Sequence, residues 1–87
     1  MQRVIRHFAS PSFWACYEKL PSSIQRLADK NFEILKDNPE HPSLCMKKAS
    51  NYWSVRVGIK YRALVIGVEE GLVWFWVGTH AEYDKLI

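Results

Sequence analysis

Five cations and no acid stand between residues 41 and 68: Lys47, Lys48, Arg56, Lys60 and Arg62. The formal charge of the whole chain is +3, so this stretch, at +5, exceeds the total. The rest nearly cancels: residues 1–20 carry +2, residues 21–40 carry −1 and residues 69–87 carry −3. A cationic patch suits a polyanion or an acidic protein partner, and it serves equally as a solvated face that keeps a small domain soluble. Arginine adds a geometric possibility, because its planar fork can hold two phosphate oxygens at once, whereas lysine acts as a point charge. Proton transfer near neutral pH would fall to imidazole, and the chain has three histidines: His7, His41 and His80. His41, between Glu40 and Pro42, reads as a solvated loop residue. Cys16 and Cys45 have neither metal-ligand spacing nor the density of a disulfide scaffold, and both read as small buried hydrophobes. No glycine-rich phosphate loop is present. We therefore expect no metal and no cofactor.

The arginines belong to two β-rich runs, Tyr52–Val57 and Tyr61–Gly67, that meet at Gly58-Ile59-Lys60. In the first run Trp53, Val55 and Val57 fall on one face and Tyr52, Ser54 and Arg56 on the other, so one side of the sheet is buried and the other presents an arginine. A third run, Leu72–Val77, follows the acidic turn Glu69-Glu70-Gly71, and three consecutive strands with short connections predict an antiparallel meander. Alternation places Trp74 and Trp76 on one face of this run and Phe75 on the other. Gln2 to Phe8 reads as a further strand. Ser10-Pro11 opens a short helix with Phe13, Cys16, Tyr17 and Leu20 on one face. A second helix starts at Pro21-Ser22-Ser23, buries Ile24, Leu27, Ala28, Phe32 and Leu35, supplemented by Ile34, and stops at Asn38-Pro39. Leu44 to Lys47 reads as a short edge strand in a loop-rich segment. Thr79, with Glu82 three residues on, has the spacing of a capping box and predicts a short terminal helix with Tyr83 and either Leu86 or Ile87 facing inwards.

The predicted order is β-α-α-β-β-β with a short C-terminal helix, an α+β arrangement in which a helical hairpin covers one sheet. At 87 residues, 1–87 form a single domain with one core. No apolar run approaches the ~20 residues a membrane helix requires, and the start lacks the apolar stretch of a signal peptide. The cytoplasm is the expected location.

This order, the run Trp53-Ser-Val-Arg56-Val-Gly58-Ile-Lys-Tyr61-Arg62-Ala-Leu-Val and the ending Thr79-His80-Ala-Glu-Tyr83 resemble the RelE/ParE superfamily of bacterial toxin–antitoxin toxins. Members share an Arg-x-Gly step, a Tyr-Arg pair opening the next strand, a His or Arg followed by Tyr after the last strand, and lysines ahead of the first motif, where Lys47-Lys48 stand. The resemblance covers nearly the whole chain. It implies the helical hairpin on a mainly antiparallel, curved sheet, and a cognate antitoxin as partner. The superfamily divides into ribosome-dependent messenger-RNA nucleases, gyrase inhibitors and members with no demonstrated activity, and the His-Ala-Glu-Tyr ending is closer to the nuclease branch.

For a nuclease without a metal, the 2′-hydroxyl attacks the phosphate: a base takes its proton, cations stabilise the phosphorane and an acid protonates the departing 5′-oxygen. The resemblance assigns Arg62 to the phosphate, Arg56 as a second cation, His80 to proton transfer and Tyr83 to stacking on a base or orienting a phosphate. Lys47, Lys48 and Lys60 would hold RNA backbone. Glu82 is an alternative base, and a salt bridge from Arg62 to Glu69, Glu70 or Glu82 is the structural use of the same charges. Two other readings stay open. One is a non-enzymatic inhibitor of gyrase. The other is an inactive toxin fold whose only partner is the antitoxin. The acidic segment 69–87 favours these two, and the His/Arg/Tyr set favours the nuclease.

Overall fold

The computed structural model describes residues 6–38, 41, 44–49 and 51–86. Its centre is β4 (Tyr61–Val68), flanked by β3 (Tyr52–Val57) and β5 (Gly71–Thr79), the predicted meander. Two short outer strands, β1 (Arg6–Ala9) and β2 (Lys47–Ala49), complete a five-stranded sheet of order β1-β5-β4-β3-β2. Only β1 runs parallel to its neighbour, pairing Arg6–Ala9 with Gly71–Trp74. The expected first strand is thus present from Arg6 onward, and its predicted start lies outside the described residues. The edge strand begins at Lys47, where Leu44 to Lys47 was expected. Leu44 is instead fully buried in the core, and Cys45 takes a positive φ of 42° that turns the chain out towards β2.

The helical hairpin covers one face. In α1 (Pro11–Tyr17) the Ser10 hydroxyl accepts the Phe13 N–H at 3.3 Å, and Pro11 fills the first helical position, where no intrahelical donor is required. The helix also closes the edge of β5. Where β1 ends, the Ser10 N–H donates to the Trp74 carbonyl at 2.9 Å and the Ser12 hydroxyl to the Phe75 carbonyl at 2.8 Å. Packed beside it, α2 (Ser22–Asp37) ends at Asn38, held extended ahead of Pro39. The core between hairpin and sheet contains Phe13, Ala28, Leu35, Val55, Val57, Ala63, Val65, Trp74 and Val77. Trp74 packs at 5.8 Å from Phe13 and 5.4 Å from Phe32, ring centre to ring centre, and donates its indole N–H to His7 Nδ1 at 3.5 Å.

Two residues of α2 depart from its apolar stripe. Leu27 is at the margin, 37% exposed, where its methyl lies 3.1 Å from the position a Cβ would take on Gly58. Gly58 has φ +65° at the β3–β4 turn, so a side chain there would be both strained and crowded. Asn31, polar and on neither predicted face, is buried and donates its side-chain amide to the Arg56 carbonyl. A buried amide is tolerated where its hydrogen bond is made.

Alternation fails in β5. The pairing of β4 with β5 slips between Leu64 and Val65: Leu64 faces Trp76, Val65 faces Trp74, and Phe75 is the extra residue of a bulge. Trp74 therefore enters the core, while Trp76 lies opposite Leu64 on the second face and Phe75 reaches the Tyr52 ring there, at 6.1 Å. The expectation that Trp74 and Trp76 share a face is overturned. The second face is also less open than predicted: Ser54 and Leu64 on it are 0% and 3% exposed.

Removing the Asn31 amide leaves the Arg56 carbonyl buried without its donor. Asn31→Ala should lower the unfolding free energy by about 1–3 kcal/mol, measured as a shifted urea midpoint. Burial and then the nearby Lys36 charge hold His7 below its usual pKa of 6.5. The folded state therefore disfavours protonated His7, so its contribution to stability is complete above about pH 6.5 and lost as pH falls through the lowered value. Between pH 7.5 and 5.5 the wild type should lose more stability than His7→Phe, as followed by urea titration at both pH values.

Candidate functional site

The second face of the sheet gathers the predicted residues around β4. Arg62 lies directly opposite Arg56 in the β3–β4 register, both on the face away from the hairpin. Neither has an ion-pair partner among the described residues. Arg56 is partly committed: its Nε donates to the Gly58 carbonyl at 3.1 Å, and its Nη1 approaches Cys45 Sγ at 3.8 Å. Arg62 is the less committed of the two. Its Nη1 is buried and makes no hydrogen bond among the described residues, and its guanidinium carbon lies 5.7 Å from the centre of the Tyr83 ring. A guanidinium over a phenol face gains ~0.5–2 kcal/mol, which fixes its plane without neutralising its charge.

Tyr83 belongs to α3 (His80–Leu86), which packs on β4 and β5 at the end of the sheet where β3 turns into β4. The reason for its position is local. The Thr79 hydroxyl accepts the Glu82 N–H at 3.1 Å, and the Glu82 carboxylate accepts both the Thr79 N–H at 3.0 Å and the Thr79 hydroxyl at 2.9 Å. This is the predicted capping box. The Thr79 N–H and then its hydroxyl hold the Glu82 carboxyl below its usual value. A carboxylate engaged in this way serves as the helix cap, the structural one of the two uses expected for Glu82. The salt bridge from Arg62 to Glu82 is absent. A further bond, His80 N–H to the Lys60 carbonyl at 2.7 Å, ties the start of α3 to the β3–β4 turn.

His80, the first residue of α3, stands with its ring 5.9 Å from Tyr83 in an edge-on contact, and its Nδ1 lies 3.2 Å from Asp84 Oδ2. Tyr83 is 8% exposed. Its ring is occupied by Arg62 on one side and His80 on another, so it packs as an anchor beneath the cations, and little of it is open for a base to stack on. Arg56, Arg62, His80 and Tyr83 are therefore brought to one region, with Lys60 at its margin. Lys47 joins the same side through its partner Ser54. Lys48 does not: it pairs with Trp53 and its Nζ sits 6.0 Å over that indole, turned to the other face of the edge. Grouping Lys47 with Lys48 overlooked that neighbours in a strand point oppositely.

Asp84 was missed, although its i,i+4 spacing from His80 is visible in the sequence. Cys45 beside Arg56 had no signal, because the contact depends on a positive φ in a loop. Elsewhere, a cavity of about 350 Å³ under the hairpin is lined by His7, Phe13, Trp14, Tyr17, Phe32 and Trp74. Its carboxylates are taken, Asp29 by the Tyr17 hydroxyl at 2.8 Å and Glu33 by Lys36 at 3.4 Å, and none of the predicted site residues lines it. The cations without an ion-pair partner among the described residues lie on the other face.

A family model described as a ParE-like toxin domain matches residues 22–85. The chain belongs to this family. The toxin fold extends further, over nine-tenths of the chain, in solved structures of low sequence identity. The RelB–RelE antitoxin–toxin complex of Methanococcus jannaschii aligns with a TM-score of 0.74 at 17% identity, covering 92% of this chain and 98% of that one. YafQ of E. coli strain BL21(DE3) aligns at 0.72 and 14% identity, over 91% and 97%. The RelBE2 toxin–antitoxin complex of Mycobacterium tuberculosis aligns at 0.69 and 18% identity, over 90% and 100%. A sequence search among curated proteins finds no match. The protein is a toxin of the RelE/ParE superfamily, and no helix among the described residues is long and apolar enough to cross a membrane.

In this toxin the capping box carries α3, and through it the cover over Arg62. Thr79→Ala should cost about 1 kcal/mol, a fall of roughly 4–8 °C in the melting temperature. The Glu82 contribution is present above the usual carboxyl value of 4.5 and lost as pH falls through the lowered one. Thermal scans from pH 7 to pH 3 should therefore show the gap between the wild type and Thr79→Ala narrowing at the acid end without closing, because only the hydroxyl's bond to the carboxylate is lost with protonation.

Proposed function

We propose that this toxin is a metal-independent, ribosome-dependent endoribonuclease that cuts messenger RNA and is neutralised by a cognate antitoxin. The observation that carries the reading is the Arg56–Arg62 pair: two guanidinium groups on adjacent strands, without a carboxylate partner among the described residues, with the Tyr83 ring between Arg62 and an imidazole. Like charges placed together cost free energy unless an anion binds between them, and a phosphodiester is an anion of fitting geometry for the arginine fork. In this scheme Arg62, with Arg56, holds the non-bridging oxygens of the scissile phosphate. His80 takes the 2′-hydroxyl proton, the 2′-oxygen attacks phosphorus, and the bond to the 5′-oxygen breaks as that oxygen gains a proton. The products are a 2′,3′-cyclic phosphate and a 5′-hydroxyl. Tyr83 keeps Arg62 in plane, and Lys47 and Lys60 add backbone contacts.

Support for the antitoxin comes from the relatives solved as toxin–antitoxin complexes. The cytoplasm, where ribosomes and messenger meet, is the proposed place of action. The acidity of residues 69–87 favours a second reading, a protein that inhibits gyrase by surface contact alone. It would depend on exposed side chains such as Trp14, 49% exposed, and would not require Arg62 or His80 as chemical groups.

The two readings part on substitution. Arg62→Ala and His80→Gln should each lower the rate of messenger cleavage about 10²- to 10⁴-fold with the fold intact by circular dichroism, and Glu82→Gln should retain the rate. Growth arrest that survives Arg62→Ala and is lost in Trp14→Ala would favour surface inhibition.

A further inference from the structure

We infer that Asp84 is a positioning residue for His80, fixing which imidazole nitrogen is left for the substrate. The inference rests on the nuclease reading for its consequence, though not for its geometry. His80 and Asp84 are one helical turn apart on α3, and the Nδ1···Oδ2 separation of 3.2 Å is a hydrogen bond. An ionised carboxylate only accepts, so the shared proton sits on Nδ1. In neutral imidazole the lone pair is then on Nε2, and Nε2 is the nitrogen free to take a proton from a 2′-hydroxyl. The tautomer is the reverse of the one free histidine prefers in water.

Two further contacts restrict the ring. Its backbone N–H is held by the Lys60 carbonyl, and its edge meets Tyr83, whose own ring faces Arg62. Imidazole, phenol and guanidinium thus form one chain of contacts from α3 to β4, and Asp84 terminates it. The groups in contact with the imidazole are Asp84 and Tyr83 on α3, while Lys60 meets His80 through its backbone carbonyl and Arg62 is reached through Tyr83. Glu82, the remaining acid on this helix near the site, is already bound to Thr79.

Helix stability gives no reason for this order of residues. The positive end of a helix dipole is its N-terminus, so a cationic histidine at the first position and an aspartate one turn later are each in the less favourable half. The pair is also exposed, 49% and 60% for its side chains, and exposed ion pairs contribute little to folding. Its effect lies in setting the tautomer and orientation of the ring.

The test uses the whole protein with ¹⁵N-labelled histidine. Two-bond ¹H–¹⁵N spectra above the imidazole titration, assigned with His7→Gln, His41→Gln and His80→Gln variants, report the tautomer of each ring. His80 should be in the Nδ1–H form in the wild type and move towards Nε2–H in Asp84→Ala, with His7 and His41 unchanged. In ribosome-programmed cleavage, Asp84→Ala should lower kcat up to about 100-fold with KM nearly constant, and it should add no loss in the His80→Gln background. Asp84→Glu should recover part of the rate. An unchanged His80 tautomer in Asp84→Ala overturns the inference. So does a changed tautomer with kcat unaltered, which would leave Asp84 as a surface partner only. A wild type that leaves messenger intact removes the nuclease reading and the catalytic use of the pair together, while the spectra still decide whether Asp84 sets the tautomer.

Discussion

A guanidinium on the central strand with no carboxylate partner among the described residues is the constraint around which this toxin is arranged. Arg62 occupies β4, which has neighbours on both sides and buries Ala63, Leu64 and Val65 immediately after it. Removing a charge from water costs several kcal/mol when nothing compensates. Here compensation is partial: the face of Tyr83 supports the cation, while one of its nitrogens is buried without a bond. The nearby acids that could have formed a salt bridge are employed elsewhere, Glu82 in the helix cap and Asp84 on His80. The arrangement withholds anions of its own from Arg62, and that is what a site for an external anion requires.

The remaining architecture follows from keeping that strand in place. The hairpin seals one face of the sheet, and the bulge at Phe75 lets β5 serve both faces. It sends Trp74 into the core and leaves Phe75 and Trp76 on the side of the arginines. The capping box then turns the chain after Thr79 so that Tyr83 lies over Arg62. Asn31 connects the layers by holding the Arg56 carbonyl from the hairpin side. Stability and site geometry are therefore coupled through few bonds, most of them short-range in sequence.

Much of this is legible in the sequence, for physical reasons. The meander, the hairpin and the terminal helix each rest on local signals: alternation, a 3.6-residue stripe, Ser10-Pro11 and Thr79 with Glu82. Arg56 and Arg62 fall opposite each other because a short turn sets the register. What sequence did not reveal depends on tertiary context. The bulge breaks alternation at one residue, and nothing in Trp74-Phe75-Trp76 marks which residue is extra. Asn31 is polar at the spacing of the apolar stripe, and its burial is explained only once the Arg56 carbonyl is placed against it. The parallel pairing of β1 is a matter of long-range order, whereas the opposite facing of Lys47 and Lys48 follows from alternation once β2 is placed at Lys47–Ala49. Glu82 carried two readings, cap and base, and only the hydrogen bonds to Thr79 separate them.

The account turns on whether the Arg62 site holds a scissile phosphate. The most direct measurement adds the purified toxin to a cell-free translation reaction with one defined messenger, and maps both the positions and the chemistry of new ends. The account predicts new ends only when ribosomes are present, each carrying a 5′-hydroxyl opposite a 2′,3′-cyclic phosphate or its hydrolysis product. Intact messenger together with arrested gyrase supercoiling, or ends bearing a 5′-phosphate, would contradict it.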